Sequence, residues 1–279
     1  MARLGGKPRS PSWLLDGANQ PGMPETAESW NWLTSAKPAV AAGALVLLWI
    51  VESLAPMFLE RRRRISHDFA NVALGVLNAM LAAALFGGVM LLVTEWARQQ
   101  AFGLLHWLPG GWPAWITWPL GLILFDAWMY TWHVLNHKVP LLWRFHAVHH
   151  SDRELDASSA LRFHTGEIVL SGCGRLIVLP LLGLTMPQLL LYELILQPVI
   201  LFHHSNVRVP ARLDTALRWL IVTPWMHWVH HSRWQPETDS NYASVLSIWD
   251  RLFRTFRLRA EPRQIRLGLD EDRDERQWR

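Results

Sequence analysis

The 279-residue sequence contains a single cysteine, Cys173. One thiol excludes an internal disulfide and a four-cysteine iron centre within the chain. Tyrosine is also scarce, with three residues against eighteen tryptophans. No glycine-rich dinucleotide fingerprint is present. The net charge of +4 is modest, and the arginines cluster beside apolar runs, a pattern of membrane orientation rather than nucleic-acid binding. Three basic groups fall in the first ten residues, but no apolar stretch follows them directly, so no cleavable signal peptide is expected.

What the chain does have is long apolar runs separated by short, very polar segments. Runs over about 38–59, 69–93 and 112–135 each approach the ~20 apolar residues that cross a bilayer. Arg61, Arg62, Arg63 and Arg64 stop the first, and Pro109-Gly110-Gly111 reads as a turn before the third. Trp96, Trp107, Trp112, Trp115 and Trp118 lie at the run ends, where amphipathic rings settle at a membrane interface. The fourth run, 168–202, is broken by Arg175, Pro180 and Pro187. It reads as a hairpin turning near 183–187, with both ends on one face. From Val207 onward the chain is too polar to cross again.

The expectation is an all-α integral membrane bundle of three spans plus a helical hairpin, carrying a histidine-rich helical cap. Residues 1–36 read as a disordered leader, 37–258 as the membrane domain and 259–279 as a charged tail. The arginine run, Lys138, Arg144, Arg153, Arg162 and the arginine-rich tail share one face, while the loop 96–111 has only Arg98. The positive-inside rule places the first group, and the cap with it, in the cytoplasm. Arg3, Lys7, Arg9 and Lys37 would then lie outside, against the rule.

Most of the thirteen histidines fall in tight groups: His133 and His137; His146, His149 and His150; His227, His230 and His231; and His203-His204 ahead of Ser205-Asn206. Pro140 is expected to break the helix between the first two groups. Positions i, i+3 and i+4 share a helix face, so each group presents its imidazoles in one direction. Imidazole suits iron, zinc, copper and nickel. Nine candidates (His133, His137, His146, His149, His150, His204, His227, His230, His231) are too many for one ion and suit two. His204 continues the helical face of Glu193 and Gln197, whereas His203 falls off it, so His204 is expected to be the ligand of the two. Glu193 and Gln197 either line a path towards the metals or hold two helices together.

Within the third run, Asp126, Tyr130, His133 and His137 share one helical face. An aspartate near mid-span costs roughly 2.5–3.5 kcal/mol on insertion scales and must face the interior. Asp126 is expected to orient a ligand imidazole, with Tyr130 beside it. Structural bonding between helices is the plainer alternative for Asp126.

His133-Val-Leu-Asn-His137, His146-Ala-Val-His149-His150 and His227-Trp-Val-His230-His231 resemble the histidine boxes of the fatty acid hydroxylase/sterol desaturase superfamily. The flanks agree: Leu142 to His146, Arg162-Phe163-His164, Phe202 to Val207, and Asn241-Tyr242 through Phe253. The similarity covers about 70–258 and departs at Arg254, where the family usually has glycine. It implies two iron ions, with O2 as co-substrate, oxidising a membrane lipid by hydroxylation or desaturation. Purified protein could carry zinc, which imidazole sites accept readily. Lacking a redox cofactor site, the chain would need an external electron-donor protein. The alternatives are a membrane metal transporter and a catalytically inactive lipid-binding relative.

Overall fold

A computed structural model describes residues 27–59, 64–109 and 112–269. Among these residues there are helices and isolated bridges but no strands. Helix α1 spans Ala27–Leu54, so the last ten residues of the expected leader are helical, and residues 1–26 lie outside the description. Helix α2 spans Arg64–Gln99 and α3 spans Ala114–Lys138. Arg61 to Arg63 lie outside the described residues.

Pro140 breaks the helix as expected. A proline forces the preceding residue into extended backbone and offers no N–H to continue a helix. Val139 accordingly sits at φ −95, ψ 116, and α4 (Pro140–His150) starts in a new direction. A 3-10 turn, Ala157–Leu161, leads to the hairpin of α5 (Thr165–Leu182) and α6 (Met186–His204). Gly183, at φ 74, ends α5 in the left-handed region, and the Gly183 and Leu184 amides donate back to Pro180 and Leu179 at 3.0 Å. Short helices follow: α7 (Ala211–Leu217), α8 (Pro224–His230), α9 (Gln235–Thr238) and α10 (Ile248–Leu252).

Among the described residues, four helices are long and apolar enough to cross a membrane: α1 from Trp32, α2, α5 and α6. The expected third span, α3, is longer than α5 or α6 but is diluted by Asp126, His133, Asn136 and His137. It packs inside the bundle against α4, α5 and α6, while α1 lies on α6 and α2 on α5. The core between them is Phe86, Met90, Phe125, Leu179, Leu184, Leu189, Tyr192 and Leu196.

Both ends of the bundle are tied. At one end, the amides of Leu104 and Leu105 donate to Leu181 and Leu182 at 2.9 and 3.0 Å. Gly103, at φ 110, passes so close to Pro180 and Gly183 that a Cβ there would collide with their backbone. Trp96, Trp107, Trp112 and Trp115 are exposed at this end. At the other end, Glu52 Oε1 accepts the amides of Ala157 and Asn206, each at 2.8 Å, and Asn206 exchanges two hydrogen bonds with Phe58. The hairpin therefore runs the full length of the bundle.

Glu193 does not line a path to the histidines. Its carboxylate is held by Arg175, at 2.6 Å, and by Lys37. This ion pair makes Lys37, the first residue of the expected membrane domain, a strut between α1 and α6. As far as Leu269 the charged tail packs on the histidine end, with Ile265 buried beside Trp228 and the Arg233 amide donating to Arg266 at 2.8 Å.

Candidate metal centre

The nine histidines converge at one end of the bundle in two groups. His133 and His137 come from the end of α3, His146 and His150 from α4, and His230 from α8. Together they offer ligand nitrogens within 4.8 Å of one another. His149 of α4, His204 at the end of α6, and His227 and His231 of α8 form a second group on the same criterion. The i, i+3, i+4 spacing splits the α4 and α8 boxes between the groups: α4 gives two rings to the first and one to the second, and the α8 box one and two. The groups abut, with His150 and His231 stacked at 4.5 Å.

Hydrogen bonds fix the tautomers. A carbonyl or carboxylate only accepts, so an Nδ1 facing one carries the proton and leaves Nε2 with a lone pair. His133 Nδ1 donates to Tyr242 O at 2.7 Å, His230 Nδ1 to Ser240 O at 2.7 Å and His146 Nδ1 to Glu167 Oε1 at 2.9 Å. The Nε2 atoms of these three rings are buried without a hydrogen-bond partner. In the second group, His204 Nδ1 donates to Ile200 O at 2.7 Å and His149 Nδ1 to Arg162 O at 3.3 Å. Their bare Nε2 atoms face each other at 3.0 Å, and His227 Nε2 lies 2.9 Å from that of His204.

Two lone pairs at 3.0 Å repel unless a cation lies between them. Nitrogens sharing one ion at ~2.0–2.1 Å stand no more than about 4.2 Å apart, so the observed spacing fits a shared metal. Protons are a poor substitute. Burial, and then the neighbouring histidines, hold His149, His150, His227, His230 and His231 well below the ordinary imidazole value. The rings are neutral, which is the ligating form.

Asp126 does not orient an imidazole, contrary to expectation. It accepts from Tyr192 Oη at 2.5 Å, Trp249 Nε1 at 2.7 Å and the Leu246 amide at 3.0 Å, joining α3 to α6 and to the C-terminal segment. A shared helical face gives direction but not reach: Asp126 lies two turns below His133, about 10 Å along the axis. Tyr130 likewise bonds Thr255 at 3.0 Å and stacks on Phe253 rather than touching a metal-group ring. The residues that do aim the rings are others. Glu167, which also accepts from Asn136 at 3.1 Å, is the one carboxylate within 3 Å of a metal-group imidazole among the described residues. Its signal in the sequence was an acid at the mouth of an apolar run.

The segment from Tyr242 to Thr255 forms a clamp. Asp250 accepts the amides of Tyr242 and Ala243 at 2.7 and 3.1 Å and the Thr255 hydroxyl at 2.8 Å. This holds the Tyr242 carbonyl on His133. Phe163 stacks on His149 at 4.4 Å, and His164 caps α5 by accepting from Gly166 at 2.9 Å. His203 is buried beside His227, at 4.1 Å between rings, but belongs to neither group. A third cluster, His67 with Asp68 and Asp156, is a salt link: His67 faces Asp152 at 2.9 Å through Nε2 and Asp156 at 3.1 Å through Nδ1, leaving no lone pair for a metal.

Fold and site together define an integral membrane protein built around paired histidine clusters. The fatty acid hydroxylase family model matches residues 118–255, a stretch that holds all nine histidines. The chain is 29% identical over 234 residues to the ornithine lipid hydroxylase OlsE of Rhizobium tropici, covering 82% of this chain and 70% of the relative. It is 28% identical over 232 residues to human alkylglycerol monooxygenase, covering 81% of this chain and 46% of that protein. Human cholesterol 25-hydroxylase is 28% identical over 208 residues, covering 72% and 74%. The chain thus spans less than half of the human monooxygenase. No solved structure matches the chain significantly. The chain belongs to the fatty acid hydroxylase/sterol desaturase superfamily.

Proposed function

We propose that the protein is a membrane-bound di-iron hydroxylase that places one oxygen atom of O2 into a C–H bond of a lipid. The observation that carries this reading is the pair of buried imidazole groups, with the Nε2 atoms of His149 and His204 facing one another at 3.0 Å. His133, His137, His146, His150 and His230 would hold one ion, and His149, His204, His227 and His231 the other. Iron bound there supplies O2 activation and removal of hydrogen from an unactivated C–H bond.

The chain's own contribution is positional. Carbonyls of Tyr242, Ser240, Ile200 and Arg162 and the Glu167 carboxylate keep protons on Nδ1 and aim Nε2 inward. Trp143, against His137, His146 and His150, and Phe163, against His146 and His149, keep the groups dry. Insertion of one oxygen atom leaves the other to form water and consumes two electrons and two protons. A chain with one cysteine and no dinucleotide fingerprint takes these electrons from a separate donor protein. The named relatives are hydroxylases and monooxygenases acting on ornithine lipid, alkylglycerol and cholesterol, which favours hydroxylation over desaturation and a lipid as substrate. A metal transporter is disfavoured because the histidines gather at one end of the bundle.

The histidine end is assigned to the cytoplasm on the positive-inside rule. Labelling of single cysteines at Arg64 and Arg266, on a Cys173→Ser background, with a membrane-impermeant reagent checks this: both should react only after the membrane is opened, and reaction of either in intact cells would contradict it. The activity is tested by supplying 18O2 and an electron donor to iron-loaded protein in lipid. One 18O atom per product and two irons per chain are expected. Turnover without label, or active protein with a single metal, would overturn the reading.

A further inference from the structure

From Val207 the chain is too polar to span, yet part of it lies deep along the membrane helices. Gly121 of α3 packs level with Leu184 and Gln188 at the foot of α6, and Asp126 bonds Tyr192. The Leu246 amide and the Trp249 indole reach the same Asp126. Asp126 precedes His133 by seven residues, so this junction lies about 10 Å down the bundle from the nearest histidine. Val245 is accordingly part of the main core with Phe125, Leu184 and Tyr192.

The outward side of this lobe is apolar. Trp219, Leu220, Leu252, Phe253 and Ile248 are 67, 66, 62, 57 and 48% exposed. Ile248 and Leu252 are one turn apart on α10, and the Ser247 amide joins the two strips by donating to Leu220 at 3.2 Å. In water, five large side chains in one patch would be a liability. Charge is sorted to match: from 211 to 258 no carboxylate is fully exposed (Asp214, Glu237, Asp239, Asp250), and the exposed charges are arginines such as Arg212 and Arg254. Arginines can extend to the headgroups while their stems stay in hydrocarbon.

The irregular backbone is also paired, as hydrocarbon demands. Val222 donates to Val245 at 3.0 Å, Ile221 to Leu217 at 2.9 Å and Leu246 to Asp126, while Arg251 covers the Ser247 and Arg218 carbonyls at 3.0 and 2.7 Å.

We propose that the lobe from α7 to α10 is a re-entrant element, sunk into the leaflet on the histidine side, with Trp219, Leu220, Ile248, Leu252 and Phe253 in contact with acyl chains. The lobe also supplies the Tyr242 carbonyl to His133, so the first histidine group is walled by a lipid-facing element rather than a water-facing cap. This placement is independent of the reaction catalysed.

The test uses full-length protein in phosphatidylcholine vesicles, with Cys173→Ser as background and single labels at Leu220→Cys, Leu252→Cys and, as an aqueous reference, Glu261→Cys. Brominated acyl chains should quench the fluorophores at 220 and 252 at least twofold more than at 261, while aqueous iodide quenches only 261. Iodide quenching at 220 and 252 equal to that at 261 would overturn the proposal. So would disulfide cross-linking between copies through Leu252→Cys with no lipid quenching, which would assign the face to a second copy. Unlabelled wild-type protein gives a second readout: photoactivatable acyl chains should leave adducts within 219–220 and 248–253. Adducts on α1 alone would refute the placement.

Discussion

His149 and His204 turn unprotonated Nε2 atoms on each other at 3.0 Å, with their protons committed on the opposite side to Arg162 O and Ile200 O. Such a contact is stable only with a cation between the rings, so removing either ring should cost metal at the second group. His204→Ala is expected to halve the metal content and abolish turnover. His203→Ala removes a neighbour that belongs to neither group and should leave metal content near normal. Elemental analysis of both variants decides; equal retention of metal by two active variants would defeat the assignment.

Glu167 acts on the first group alone, through His146 and Asn136. Replacing the partner of a ligating histidine typically costs 10–100-fold in metal affinity or activity. Glu167→Ala should therefore weaken one of two metal-binding steps by about that factor and spare the other. Chelator competition resolves the two steps. Uniform weakening of both would mean a general loss of packing instead.

Arg254 sits at φ 59, in the left-handed region where a side chain crowds the backbone. The family's usual glycine at this place now has a physical reason, since the turn must bring Thr255 back onto Asp250. A non-glycine residue in this conformation costs roughly 1–2 kcal/mol, and glycine's looser unfolded state returns part of that. Arg254→Gly should raise stability by about 0.5–1 kcal/mol, read as a rise of a few degrees in Tm. An unchanged or lower Tm would count against this reading of the turn.

Metal-free protein should be acid-sensitive in a defined window. His149, His150, His227, His230 and His231 have folded pKa values below the unfolded value of ~6.5. Above ~6.5 both states are neutral and stability is complete. As pH falls below that, the unfolded chain takes up protons that the folded chain refuses, and stability drops by up to about 1.4 kcal/mol per pH unit per histidine. Chelator-treated protein should lose Tm steeply between about pH 6.5 and 5, with metal-loaded protein lagging behind. A flat profile for the metal-free form would show that these rings are not buried neutral.

Much of this was legible because it depends on local rules. The histidine spacings place rings on helix faces, Pro140 breaks α3 from α4, and the stretch from Gly183 to Pro187 marks the hairpin turn. What was not legible depends on which surfaces meet. Asp126 shares a face with His133, yet its reach ends at Tyr192 and Trp249, residues distant in sequence. Glu193 was ambiguous until Lys37 and Arg175 closed on it. Glu167 stood outside every histidine motif, and only the fold brings it to His146. The polarity of the chain after Val207 correctly argued against another crossing, but polarity averaged over a segment conceals that Leu220, Ile248 and Leu252 point one way and Asp250 the other.

Four of the five protons on Nδ1 described above are held by main-chain carbonyls, at Tyr242, Ser240, Ile200 and Arg162, and one by a side chain, Glu167. A carbonyl oxygen is present whatever the residue, so the aim of His230 and His204 should survive drift at Ser240 and Ile200. Saturation mutagenesis would then find intolerance at the histidines and Glu167 beside wide tolerance at 200 and 240. The site can keep its chemistry while much of the lettering around it is rewritten, leaving the surrounding side chains free to be reshaped for a different lipid.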